Sequence, residues 1–192
     1  MADCTGNQTA CWISDQVNIL ANIAASMHSV QILITSATYL MGLGFGVKAL
    51  MSLKELGESR SMMSGKASLK EPLMYFLVSS LFIYLPTAFS VFMNSTFGYS
   101  NVLAYAPINS SNSALDMLFG QGSSVGPALS IIIQTIGLIA FIRGWVLVAK
   151  SASQGQPPGG TGKGLTHVFG GILAMNIVGT LQIINNTLYG TG

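Results

Sequence analysis

ALSIIIQTIGLIAFIRGWVLVA, residues 128–149, runs without proline and carries a single ionisable side chain, Arg143. A bilayer core roughly 30 Å thick is crossed by about 20 mainly apolar helical residues. A stretch of this length and purity reads as a transmembrane helix, and the remainder of the chain follows the same pattern.

Of the 192 residues, 50% are hydrophobic and 7% charged, and the mean hydropathy is +0.57. An ordinary soluble domain carries about 25% charged residues, so composition alone points to a membrane chain. Residues 30–53, 73–93 and 165–184 are similar apolar runs. The expected fold is therefore an all-α integral membrane protein with four transmembrane helices in two tandem hairpins. Residues 1–29 form an external tail and 30–93 the first hairpin, whose basic cytoplasmic loop is 54–72. Residues 94–127 form an external loop, and 128–192 the second hairpin, with its cytoplasmic loop at 150–164 and an external C-terminal tail. Lys48 and Arg143 lie inside spans near one end, where long side chains can snorkel to the headgroups. An ion-pathway role is the rival reading, but no span supplies a carboxylate to partner them.

Orientation comes from the basic residues, which collect on cytoplasmic loops and flanks. Lys48, Lys54, Arg60, Lys66 and Lys70 surround the first connection, and Arg143, Lys150 and Lys163 surround the third. The N-terminal tail, residues 94–126 and the C-terminal tail contain no lysine or arginine. Both termini are expected on the side of the membrane away from the cytoplasm. The stretch GQPPGGTGKGLTHVFGG at residues 155–171, whose first part, 155–164, joins the third span to the fourth, superficially resembles a phosphate-binding loop. That motif needs glycine, four residues, then Gly-Lys-Ser/Thr; here Pro157 holds the first glycine position and Gly164 the hydroxyl position. Lying between two spans, it reads as a reversal loop.

No cleavable signal is expected at the N-terminus, where Asp3 and Asp15 are acidic and a compact apolar core is lacking. The two cysteines, Cys4 and Cys11, fall in the tail assigned to the oxidising side. They form either a disulfide-stapled loop or two free thiols. After them, Val17, Leu20, Ile23 or Ala24, and Met27 recur at helical spacing, with Ser14 placed to cap. This reads as an amphipathic helix on the outer surface, or as an outward extension of the first span. His28, at its inner end, is a hydrogen-bonded packing residue or a pH sensor.

Within the spans the sequence supplies packing devices. Gly42 with Gly46, Ala140 with Gly144, and Gly170 with Ala174 are small residues four apart, a spacing that lets helices approach closely. Pro86 is expected to kink the second span. Gln31, Gln134, Asn176 and Gln182 either hydrogen-bond to neighbouring helices or line a wet path. No acidic residue stands with a histidine or nucleophile at a triad or metalloprotease spacing, so no enzymatic activity, cofactor or metal is expected. Glu55 and Glu58 lie among lysines as a solvated face, and Asp116 is expected in a short external helix.

Displacing the sequence by 92 residues aligns Leu73 with Leu165, Leu81 with Leu173, Asn94 with Asn186 and Gly98 with Gly190. The ends match best, NSTFG against NTLYG. Span one is paired more loosely with span three, through Gly46 and Gly144. A duplicated hairpin of parallel topology is expected.

The run GKGLTHVFGGILAMNIVGTLQIINNTLYG, residues 162–190, with the basic first loop and the four-span layout, resembles the IcmC/DotE proteins of the Dot/Icm type IVB secretion system; a sister protein of the IcmD/DotP kind shares the hairpin style. The resemblance implies an inner-membrane component of a multiprotein translocation machine and carries no catalytic residues across. The expected function is a structural subunit that packs against other inner-membrane secretion-system subunits, lipid or copies of itself, with no nucleic-acid partner. The rival classes are a small membrane transporter, whose sites often sit on broken helices at the midplane, and a pilin-like pore-forming subunit.

Overall fold

The structure, a computed structural model, describes residues 8–61, 69–98, 113–121, 123–153 and 160–190. Among these, every regular element is a helix: α1 (Gln8–Ser61), α2 (Lys70–Ile83), α3 (Leu85–Phe97), α4 (Ser113–Phe119), α5 (Gly126–Ser151), α6 (Gly160–Met175) and α7 (Ile177–Tyr189).

α1 is 54 residues long, about 80 Å at 1.5 Å per residue. Between residues 7 and 41 there is neither glycine nor proline, so nothing in the chain favours a stop. The separate amphipathic helix expected ahead of the first span is therefore absent from residues 8–29; they extend α1 outward, and Ser14 lies inside the helix rather than at its cap. α5 holds 26 residues, with proline in its first turn and Lys150 in its last. Proline is preset for a helix start, where its missing N–H is not needed, and a cation suits the negative end of the helix dipole.

The second and fourth spans differ most from expectation. Instead of a kinked helix over 73–93 and a straight one over 165–184, each is a pair broken at one residue. α2 and α3 meet at 93°, and α6 and α7 at 89°. The first break has the expected cause, placed two residues earlier than the proline itself. Pro86 has no amide for the Phe82 carbonyl and its ring crowds that turn, so α2 stops at Ile83 and Tyr84 adopts φ −103°, ψ 32°. No proline marks the second break. Asn176 leaves helical geometry at φ −116°, ψ 58° and its side chain accepts from the Gly179 amide at 3.2 Å, so it caps α7 in the manner of an N-terminal asparagine.

The two breaks share one register. Asn176 follows Tyr84 by 92 residues, and α7 follows α3 by the same displacement at both ends, each having 13 residues. Gly98 and Gly190, again 92 apart, close these helices at φ 78° and 63°. Their amides donate to the Asn94 and Asn186 carbonyls, both at 3.0 Å. Only glycine takes this left-handed position without strain.

Val17–Glu58 within α1 and Gly126–Ser151 are each long and apolar enough to cross a membrane; counting each bent pair as one span raises the number to four. α1 packs along α2, α5 along α6, and α1 also meets α5. Tyr75, Phe82, Leu85, Phe141, Val168 and Met175 belong to the buried core. α3 is fastened across α5 by aromatic contacts, Phe89 on Phe141 at 4.7 Å and Phe92 on Trp145 at 6.2 Å between ring centres. α4, which carries Asp116, sends Phe119 into a second cluster with Val178.

Candidate functional site

Three features place polar or close-packed groups where chemistry or recognition can occur: a glycine seam, a polar latch and a cavity between the breaks.

The seam joins α5 to α6. A Cβ built on Gly137 would stand 2.7 Å from the Met175 nitrogen and 2.9 Å from the Gly171 oxygen. On Gly144 it would stand 2.7 Å from the Val168 nitrogen and 2.8 Å from the Gly164 oxygen. Gly164 and Gly171 return these contacts against Gly144, Val148, Gly137 and Phe141. Backbone thus lies on backbone along two turns, as small residues permit in lipid, where van der Waals contact rather than hydrophobic exclusion holds helices together. Gly144 was singled out in the sequence, but Gly137, Gly164 and Gly171 were not. The missed signal is their seven-residue spacing, 137 to 144 and 164 to 171, which repeats a single helix face. Gly170 is exposed with nothing within 4 Å, and Ala140 and Ala174 are half-buried.

Gly42 and Gly46 face α2 within the same chain. A Cβ on Gly42 would meet Phe82 Cβ at 3.0 Å, and one on Gly46 would meet Ser79 Oγ at 2.9 Å. Ser79 Oγ donates to the Gly42 carbonyl at 2.7 Å. This face is occupied by α2, so it is not open to another protein's helix. The pairing of Gly46 with Gly144 does not hold in space either. Gly144 faces Gly164 and Val168, whose counterparts 92 residues earlier are Pro72 and Phe76, whereas Gly46 faces Ser79.

The latch sits where α1, α2 and the end of α5 converge. Lys48 Nζ donates to Tyr75 Oη at 2.8 Å and lies 4.4 Å from the ring centre. Tyr75 Oη is also 2.6 Å from Ser153 Oγ. Beside it, Ser151 Oγ lies 2.8 Å from Thr161 Oγ1, tying the end of α5 to the start of α6. Lys54 pairs with Glu58 at 3.7 Å on an exposed helix face, a geometry worth a few tenths of a kcal/mol. Arg143 and Lys150 line a groove between α1 and α5, and Lys70 and Lys163 are exposed near the starts of α2 and α6. Arg60 lies in the last turn of α1. Lys66 and Cys4 are outside the described residues, as is the side chain of Cys11, so the disulfide pairing is too.

Of the polar span residues, Gln31 Nε2 donates to Thr135 Oγ1 of α5 at 3.0 Å. Gln134 is buried, Asn176 caps α7, and Gln182 and His28 are exposed. A cavity of about 270 Å³ opens beside Gln31 and Gln134, touching Leu85 and Pro86 at the first break and Met175 at the second. Among the described residues no three of His, Cys, Asp and Glu come together as a metal site requires.

No family model, curated protein or solved structure matches this chain.

Proposed function

We propose that the chain is a structural inner-membrane subunit of a bacterial protein-translocation machine of the type IVB secretion kind, building or bracing it through helix packing and performing no bond-making chemistry. In this reading it crosses the membrane four times as two tandem hairpins with both termini periplasmic. The shared 92-residue register of the two bent pairs supports the duplication, and the one-sided lysines and arginines support the orientation.

The observation that carries the reading is the reach of α1. Val17–Glu58 is 42 residues long, about 63 Å, or twice the hydrocarbon thickness. The segment ahead of residue 30 therefore projects beyond the bilayer while still presenting Ile19 and Ile23, 58% and 43% exposed. Apolar side chains on a projecting helix call for a protein surface to cover them. A photo-crosslinking amino acid at Ile19 or Ile23, activated in intact cells, should attach the chain to another membrane subunit. Adducts to lipid alone would overturn the reading.

A second reading, a small transporter or a pore, is favoured by the two matched helix breaks beside a cavity, since interrupted helices at corresponding positions of two halves mark transporter sites. Purified protein in liposomes separates the two: solute flux or conductance without partners favours the second.

A further inference from the structure

The cavity between the breaks offers a specific chemistry. Leu85, Gln134, Leu138 and Met175, all buried, form its floor, and Pro86 and Ser90, both exposed, stand at its rim. Half-buried Gln31, Thr35 and Phe89 complete the walls. The polar groups are amides and hydroxyls, and among the described residues no ionisable side chain lines the space. A charged guest would lose its hydration with nothing to replace it.

The hydroxyls also have a defined polarity. Thr35 Oγ1 donates its proton to the Gln31 carbonyl at 2.8 Å, and Ser90 Oγ donates to the Pro86 carbonyl at 3.1 Å. Each hydroxyl oxygen is therefore left to act as an acceptor, which a guest carrying a donor can use. The volume lies just below the ~300 Å³ at which ligand pockets begin, so the guest is small. Along α5, Gln134 is about 24 Å from Lys150 and about 12 Å from the start of the helix, which puts the cavity toward the end of the molecule opposite the basic residues.

We propose that this cavity binds an uncharged amphiphile from the lipid phase, a single apolar chain of about ten carbons ending in a hydroxyl, whose proton is accepted at Thr35 or Ser90 while the chain rests on Leu85, Leu138 and Met175. The site is independent of whether the chain braces a machine or conducts a solute.

The test uses the full-length protein in lipid nanodiscs and a photoactivatable decanol. Three unlabelled competitors differ only at the head: 1-decanol, decyl methyl ether, which lacks the donor, and ionised decanoate. Decanol should compete at least tenfold better than either, because a site built around a hydrogen bond rejects the analogue that lacks it. Adducts should map to residues 31–35, 85–90 and 134–138. Thr35→Val with Ser90→Ala, which removes both acceptors without adding bulk, should bring the decanol-to-ether ratio close to one. Equal competition by all three in the unaltered chain, or adducts spread over the outer faces of α1 around Leu40 and Leu43, overturns the site, and neither result depends on a variant folding.

Discussion

At the residue scale, neighbouring glycines of α6 have opposite surroundings. Gly171 lies against the backbone of Gly137 and Phe141, and Gly170 has open space. An isoleucine at 171 must push α6 away from α5, and forcing bulk into a close-packed contact costs about 3 kcal/mol. Thermal unfolding in detergent should therefore show a large drop for Gly171→Ile and a change within about 0.5 kcal/mol for Gly170→Ile. Equal effects would mean that α5 and α6 do not meet along this seam. The sequence made the four-residue pair Gly170 and Ala174 conspicuous, yet spacing fixes only that two residues share a face. Which face meets a neighbour depends on the approach of the other helix, information that a single segment lacks. Tyr75 gives a second test at this scale. Its buried hydroxyl accepts from Lys48 and bonds Ser153, so Tyr75→Phe should destabilise by about 1 to 2 kcal/mol. Combined with Ser153→Ala, the loss should be less than additive, because both changes break one hydrogen-bond network.

At the element scale, the bent pairs set sequence expectation against local geometry. Residues 73–93 and 165–184 have the composition of straight spans, and hydropathy contains no term for a turn of the axis. Pro86 announced the first break, although only as a kink; the size of the turn depends on α3 finding Phe141 and Trp145 to pack on, contacts far away in sequence. Asn176 was legible only through the repeat, since displacement by 92 residues sets it on Tyr84. The bends are measurable with spin labels at Leu73 and Val91, and at Leu165 and Ile183, all exposed and equivalent under the same displacement. With eleven residues before each break and seven after it, a right-angle bend puts the labelled backbones about 20 Å apart, against about 27 Å for a straight helix. Both pairs should give the shorter distance. Pro86→Ala restores the amide that the Phe82 carbonyl lacks and should lengthen only the first pair, while Asn176→Leu removes the cap of α7 and should lengthen only the second.

At the scale of the whole molecule, the arrangement of ends decides how the chain sits in a membrane. Lys48 reaches Tyr75 and, through its hydroxyl, Ser153, while Ser151 touches Thr161. The C-terminal parts of α1 and α5 and the N-terminal parts of α2 and α6 thus adjoin, and they are the parts that carry Lys48, Lys70, Lys150 and Lys163. Basic residues distant in sequence consequently share one end of the bundle, as the positive-inside bias requires of a chain with a single cytoplasmic face. That these residues gather at one end was legible from the sequence because it depends on counting charges along connections rather than on packing. The contact of α1 with α5, anchored by Gln31 on Thr135, was not, since neither residue announces its partner. The orientation has a direct chemical test. Cysteines introduced in place of Lys66 and Ser110, in a chain whose Cys4 and Cys11 are replaced by serine, should respond oppositely to an impermeant maleimide added outside spheroplasts. Position 110 should label within minutes, and position 66 only after the membrane is permeabilised. Labelling of 66 from outside would invert the molecule. The projecting end of α1 with Ile19 and Ile23 would then lie in the cytoplasm, and the partner sought there would be a cytoplasmic one.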